Sequence, residues 1–343
     1  MVVIKISPHC WAALLIGAYG LAGTTPATAQ STPPKSASAG QAYPFKPLRI
    51  IVPYASGAGP DFTAREIARS ITEATGQPVV TDNRPGAAAT LGHAMGAKAA
   101  PDGYTLTLGT LGGLVSGPAL LGNKIPYDPL KDFSAIGLAT YVPYCLFINA
   151  KLPANNVKEF IALAKSQPGK LNYSSPGVGT PNHIGGAMLV TLAGIDLLHV
   201  PYKVGAQSIS DLIAGTIQLS ITGLLTTMPH VRTGRLKLMG CGHTQRLKWA
   251  PEIPAINETI PGYYNTGWWG LVAPAGLPKP IVDKLNITMN KWLQMPDTVQ
   301  RFQLAGLEVA TSTPQGYYDQ IRSDLQMWRK LISDSKITVD SLP

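Results

Sequence analysis

The 343-residue chain is 45% hydrophobic and only 14% charged, with 35 glycines, 30 prolines and a formal charge of +9. That composition excludes a disordered or coiled-coil protein and fits a loop-rich globule of about two domains. The lysines and arginines are scattered, with no basic run or RNA-binding signature, which excludes nucleic acid as the partner; a basic surface favours anionic solutes instead.

The first residues read as a leader. Lys5 supplies positive charge, the run from Trp11 to Gly23 is apolar and small, and Ala27-Thr28-Ala29 forms an A-x-A cleavage site before Gln30. This order marks residues 1–29 as a secretory signal peptide. The run is too short, and too broken by Gly17, Gly20 and Gly23, to span a bilayer. Cleavage removes one lysine and no acid, leaving a charge of +8. Residues 30–42, rich in Pro, Ser and Ala, are expected to form a disordered tail. Cys10 leaves with the leader. Cys145 and Cys241 each sit in an apolar, strand-like run, which favours two buried thiols over the disulfide that export would permit.

From residue 48 the chain alternates strand-like and helical patterns. Leu48 to Tyr54 reads as a buried strand, and Ala64, Ile67, Ala68 and Ile71 give a helix ended by Gly76. Strands over Pro78–Asn83 and Tyr104–Thr110 flank a helix over Thr90–Ala100. A second series follows Asn149. It has helices over Val157–Ser166, Pro181–Ala193, Ala206–Ala214 and Thr226–Thr233, and strands over Leu171–Ser175, Leu197–Tyr202, Ile217–Ile221 and Leu236–Cys241. After Trp269 the pattern turns helical: Lys279–Gln294, Asp297–Ala305 and Pro314–Asp334. Strand–helix–strand alternation implies an α/β fold with parallel pairing. Two crossings are expected between lobes, near Tyr141–Asn149 and Tyr263–Leu271. The division is then 43–145 plus 268–343 for a discontinuous lobe 1 and 146–267 for lobe 2, each a mostly parallel sheet flanked by helices.

In open α/β sheets ligands sit beyond the carboxyl ends of strands, beside helix N-termini. Two loops suit that role: Tyr54-Ala55-Ser56-Gly57-Ala58-Gly59-Pro60-Asp61 and Ser174-Ser175-Pro176-Gly177-Val178-Gly179-Thr180-Pro181. Their glycines let backbone approach a ligand, Thr180 is a natural N-cap before Pro181, and free N–H groups at a helix start favour an anion. Ser56, Ser174, Ser175 and Thr180 add hydroxyls. Taken singly, each loop equally suits an ordinary capped turn. Asp61 would compete for the same N–H groups, so its default role is the N-cap, with the orienting of a water as the functional alternative.

Enzyme signatures are missing. Gly57-Ala58-Gly59 lacks the third glycine of a dinucleotide fingerprint, since Phe62 stands there. There is no Walker loop, G-x-S-x-G elbow or H-E-x-x-H, and the six histidines show no metal-ligand spacing. No catalytic residue, metal or cofactor is expected.

Several ordered strings carry a resemblance. They are Pro44-x-x-Pro47-Leu48-Arg49-Ile50-Ile51-Val52-Pro53 with Gly57-x-Gly59-x-Asp61, then Asp82-Asn83-Arg84-Pro85-Gly86-Ala87, Ala100-Pro101-Asp102-Gly103-Tyr104 and Tyr127-Asp128-Pro129-x-x-Asp132-Phe133. Pro168-Gly169-Lys170-Leu171-Asn172-Tyr173, His199-Val200-Pro201-Tyr202-Lys203 and Trp268-x-Gly270-Leu271-x-Ala273-Pro274-Ala275-Gly276 complete the set. Over about residues 43–337 the chain resembles the tripartite tricarboxylate transporter substrate-binding proteins, the Bug family. The resemblance implies a type II periplasmic-binding-protein fold that closes like a Venus flytrap. It also implies a monomeric periplasmic receptor that delivers a small carboxylate to tripartite transporter membrane subunits. A ligand-sensing partner of an extracytoplasmic sensor domain is the alternative, and a periplasmic enzyme a remote third. By the same resemblance the carboxylate is held by residues 54–61 and 174–183, including His183, with the loop from Thr110 to Gly113 also lining the cleft.

The departures from the family pattern shape the ligand. Val204 stands where glycine is frequent, and Thr222 and Gly223 stand where an Asp-Asn pair is frequent. Without that acid, a mono- or dicarboxylate lacking an ammonium is expected, including an aromatic one of the terephthalate kind, with Tyr54, Phe62 and Val204 as apolar surface.

Overall fold

A computed structural model describes residues 43–202 and 205–334. The signal peptide expected over residues 1–29, the tail expected over 30–42 and Val204 lie outside the described residues.

The first lobe grows around β1 (Leu48–Val52), whose Leu48, Ile50, Ile51 and Val52 are all buried, as expected of a strand covered on both faces. It leads into α1 (Gly59–Thr75), which buries Ala64, Ile67, Ala68 and Ile71 and ends where Gly76, at φ 70°, returns its N–H to Thr72 O at 2.8 Å. β2 (Val79–Asn83), α2 (Thr90–Ala97) and β3 (Thr105–Thr110) follow. Next come a π-helical turn at Gly112–Ser116, α3 (Gly117–Leu121) and the long strand β4 (Phe133–Pro143).

The chain then enters the second lobe through β5 (Cys145–Asn149), α4 (Val157–Ser166), β6 (Leu171–Ser175) and α5 (Pro181–Ala193). β7 (Leu197–Pro201), α6 (Gly205–Ala214), β8 (Leu219–Thr222), α7 (Met228–Arg232) and β9 (Leu236–Cys241) complete it. The return runs through β10 (Thr266–Pro274), α8 (Lys279–Leu293), α9 (Pro296–Leu304), β11 (Glu308–Val309) and α10 (Pro314–Asp334).

The strand orders are β11-β4-β10-β3-β1-β2 and β7-β6-β8-β5-β9. Both sheets are mixed rather than mostly parallel. β1 pairs in parallel with β2 and β3, and β6 with β7 and β8, but β10 runs antiparallel to β3 and β4, and β5 antiparallel to β8 and β9. The antiparallel strands are those adjoining the two passages between lobes, so they enter each sheet in the opposite sense to the βαβ units. At the passages Gly242 N donates to Tyr144 O at 2.8 Å and Asn265 N to Gly242 O at 2.7 Å, tying the two connections side by side.

The C-terminal helices dock onto the first lobe through a shielded charge. Glu66 on α1 accepts hydrogen bonds from Arg301 Nη2 at 2.8 Å and Trp292 Nε1 at 3.2 Å. Pairing is what makes a carboxylate tolerable at that depth.

The expectation of two buried thiols is corrected. Cys145 and Cys241 form a disulfide, because antiparallel β5 and β9 set them directly opposite one another with Cα atoms 3.9 Å apart. Neither apolar run reveals that register by itself.

Candidate functional site

The loop after β1 is held from behind by one carboxylate. Asp61 is buried in the first turn of α1 and accepts from Gly57 N (3.0 Å), Asn83 Nδ2 (3.0 Å) and Arg65 Nε (2.9 Å). Burial alone would raise its pKa; the Arg65 bond and the N–H donors outweigh that and hold it below the usual carboxylate range. Asp61 is therefore not the N-cap, a position taken by Ala58 with no side-chain bond. It absorbs the Gly57 N–H, which sits at φ 81°, and leaves the opening amides of α1 without an intrahelical partner.

The loop after β6 is built as its spacing predicts. Thr180 caps α5, accepting from His183 N at 3.3 Å, and Pro181 takes the first helical position. Ser175 Oγ meets His199 Nε2 at 2.7 Å and accepts from Gly177 N at 3.1 Å. His183 Nδ1 accepts from Gly179 N at 3.3 Å, which leaves its proton on Nε2, buried and without a partner. The His183 and His199 rings lie 4.5 Å apart.

Between the lobes lies a cavity of about 1550 Å³ to which both loops contribute. Three helices present their N-termini to it, α1 at Gly59, α5 beside Thr180 and α6 at Gly205. Their dipoles and free amides favour negative charge. Among the described residues no aspartate or glutamate lines it, whereas Lys124, His230 and Arg235 do. Tyr54, Tyr144, Trp269 and Tyr202 form aromatic wall. Burial pushes the Tyr54 phenol up to about 12 and raises that of Tyr144 well above its ordinary value, with Thr110 and Trp269 as their respective hydrogen-bond partners, so both stay neutral. The lobes touch beside the cavity, where Ser116 Oγ donates to Gly179 O at 2.8 Å and Gly306 packs against Leu224.

The structure brings ten of the candidate residues to this cavity: Tyr54, Ser56, Gly57, Ala58, Gly59, Ser175, Gly177, Thr180, Thr222 and Gly223. Five described ones lie behind its wall. Asp61 braces its loop, and Thr110 sits beneath Tyr54 and accepts from Gly113 N. Ser174 accepts from Ser208 Oγ at 2.7 Å, Gly179 faces Gly117, and His183 supports Gly179. Phe62 stacks edge-on with Phe302 at 5.2 Å in the lobe core, so it supplies no cavity surface.

Sequence reasoning missed Trp269, Tyr144, Tyr202 and the start of α6. The adjacent pair Trp268-Trp269 carried a signal. Neighbours on a strand face opposite sides. Trp268 packs under α10 and donates to Asp324 at 2.6 Å, which leaves Trp269 for the cleft.

The histidines set an acid limit. Burial lowers the pKa of His93 to about 4, of His183 to about 3 with His199 adding to the fall, of His199 to about 4, and lowers that of His243. Each is neutral when folded and takes up a proton more readily when unfolded, near its ordinary value of about 6.5. Their contribution is thus fully present above that value and lost as pH falls toward the folded values, on the order of several kcal/mol in total by pH ~4. Thermal melts should shift steadily downward between pH ~7 and pH ~4; a midpoint constant over that range would contradict neutral burial.

Two mixed-sheet lobes joined by paired passages around a cavity that both glycine loops line define a two-lobed solute-binding protein. The chain belongs to the tripartite tricarboxylate transporter family, as a receptor: the model described as "Tripartite tricarboxylate transporter family receptor" matches residues 63–337. Three solved structures are similar to it. A Rhodopseudomonas palustris protein with adipate is 29% identical at a TM-score of 0.83, covering 87% of this chain and 99% of its own. The periplasmic binding protein BugD is 31% identical at 0.81, covering 86% and 99%. MatC from Rhodopseudomonas palustris, with bound malate, is 29% identical at 0.78, covering 84% and 100%.

Proposed function

We propose that this chain is a periplasmic receptor, exported by its first 29 residues, that closes over a small carboxylate and delivers it to the membrane subunits of a tripartite transporter without chemical change. The observation that carries the reading is the cavity itself, with three helix N-termini, two glycine loops and, among the described residues, no acidic side chain. Gly57, Ala58 and Gly59 on one lobe and Gly177 and Thr180 on the other would grip one carboxylate from both sides. A ligand stabilises the closed form only through contacts it gains there.

The ligand class follows from the wall. An amino acid calls for an anionic partner for its ammonium, and none of the described residues lining the cavity is one, so a carboxylate without an ammonium is the favoured guest. Tyr54, Tyr144 and Trp269 suit an aromatic or extended apolar body. Adipate and malate in the related structures are acids of this kind. Ser175 and His199 lie within hydrogen-bond distance, but the hydroxyl is tied to the loop backbone and serves its shape.

A thermal-shift comparison of succinate with aspartate and of glutarate with glutamate tests this, since a ligand bound only by the native state raises the midpoint. The plain acids should shift the melt more than their amino counterparts. Aspartate or glutamate giving far the larger shift would overturn the ligand class.

A further inference from the structure

Gly179 stands in the second glycine loop, yet both of its backbone groups are engaged within the protein. Its N–H donates to His183 Nδ1 at 3.3 Å, and its carbonyl accepts from Ser116 Oγ at 2.8 Å. Ser116 belongs to the other lobe, where it closes the π-helical turn Gly112–Ser116 after β3, and it is fully buried. A serine in a helical turn ordinarily returns its hydroxyl to a carbonyl one turn back. Here the bond crosses to the facing lobe instead. The seam is close on either side of it. A Cβ on Gly179, which sits at φ 86°, would lie 3.4 Å from Gly117 Cα, and one on Gly112 would lie 3.4 Å from Pro181 Cδ.

Each partner is tied to its own lobe. Gly113 N donates to Thr110 Oγ1 at the end of β3, and Gly113 O accepts from the Tyr127 hydroxyl, which together hold the π-helical turn on the first lobe. Thr180 caps α5, and Asn182 Nδ2 donates to Ile221 O on β8 at 2.7 Å, which holds the Gly179 loop on the second. The Ser116–Gly179 bond lies outside the two passages, so rotation of one lobe against the other breaks it. We infer that Ser116 is a positioning residue for ligand capture: its bond to Gly179 is made on closure and released on opening, and it latches the lobes without touching the ligand. Neither residue lines the cavity, whereas Gly177 and Thr180 do. Removing the hydroxyl strands the Gly179 carbonyl in the closed form, while in the open form water reaches it. The cost falls on closure alone and lowers the apparent affinity for every ligand by one factor. The inference rests on the reading of the chain as a receptor that closes over a carboxylate, and adds a part of closure that the chain itself provides.

The test compares Ser116→Ala with the wild-type mature protein. Calorimetric titration with glutarate, adipate and terephthalate should show every acid that the wild type binds held about tenfold more weakly by the variant, a typical margin for a buried acceptor left without its donor. The order of the acids should not change. Without ligand the two proteins should melt at the same midpoint, since alanine suits a helical turn at least as well as serine. Unchanged affinity, a loss confined to some of the bound acids, or a ligand-free midpoint that falls along with the affinity would each overturn the latch. Binding of none of the three acids by the wild type sinks the carboxylate reading and the latch with it.

Discussion

Replacing both Cys145 and Cys241 by alanine should lower the unfolding free energy by about 4 kcal/mol and Tm by about 10 °C. The cross-link joins residues 96 apart. Confining so long a loop removes entropy from the unfolded chain worth about 4–5 kcal/mol. Its position adds to that. β5 leaves the first passage between lobes at Cys145, and β9 reaches the second just after Cys241, where Gly242 bonds to Tyr144 and Asn265. The bridge thus fixes the second-lobe end of both passages as one block and leaves bending to the segment beyond. Melts of the wild type with and without reductant, alongside the double variant, measure it. The reduced wild type should approach the variant. Coincident melts of all three would mean that the pair contributes nothing to the fold.

Gly59→Ala should weaken binding by 100-fold or more, about 2.7 kcal/mol. A Cβ at Gly59 would lie 2.5 Å from Trp269 Cη2 and 3.0 Å from Cζ3. That is too close for a rigid indole to absorb, and its hydrogen bond with Tyr144 resists rotation. The ring has to leave the wall, carrying away the aromatic face beside the first glycine loop. Calorimetry with the tightest carboxylate, with circular dichroism for fold, should show Gly59→Ala folded but nearly non-binding. Full affinity in a folded Gly59→Ala protein would remove Trp269 from the ligand's surroundings.

What the sequence revealed was local. The helix over Pro181–Ala193 is legible because Thr180 and Pro181 mark its start, and in the structure Thr180 caps it. The two glycine loops were legible for the same reason, since each lies within one strand–turn–helix unit. Non-local pairings left no such trace. β4 and β10, which pair along most of their length, are rich in small and apolar residues and were not read as strands. The disulfide depends on their neighbours' register. Trp269 becomes a cavity residue only because Gly59, two hundred residues earlier in the chain, leaves room for it. The resemblance assigns Thr110, Ser174 and His183 to ligand-holding loops, whereas the structure sets them one layer behind the cavity wall, where they bond to loop backbone or to Ser208.

The most direct test of a carboxylate-gripping cleft is calorimetric titration of the mature protein with adipate and terephthalate, each beside its neutral diamide. Acid and diamide share shape and apolar body and differ in charge, so the comparison isolates the contribution of the helix N-termini and the cationic residues of the wall. At least one diacid should bind, and its diamide at least 100-fold more weakly, a gap of about 2.7 kcal/mol. A diamide that binds as tightly as its diacid would contradict it.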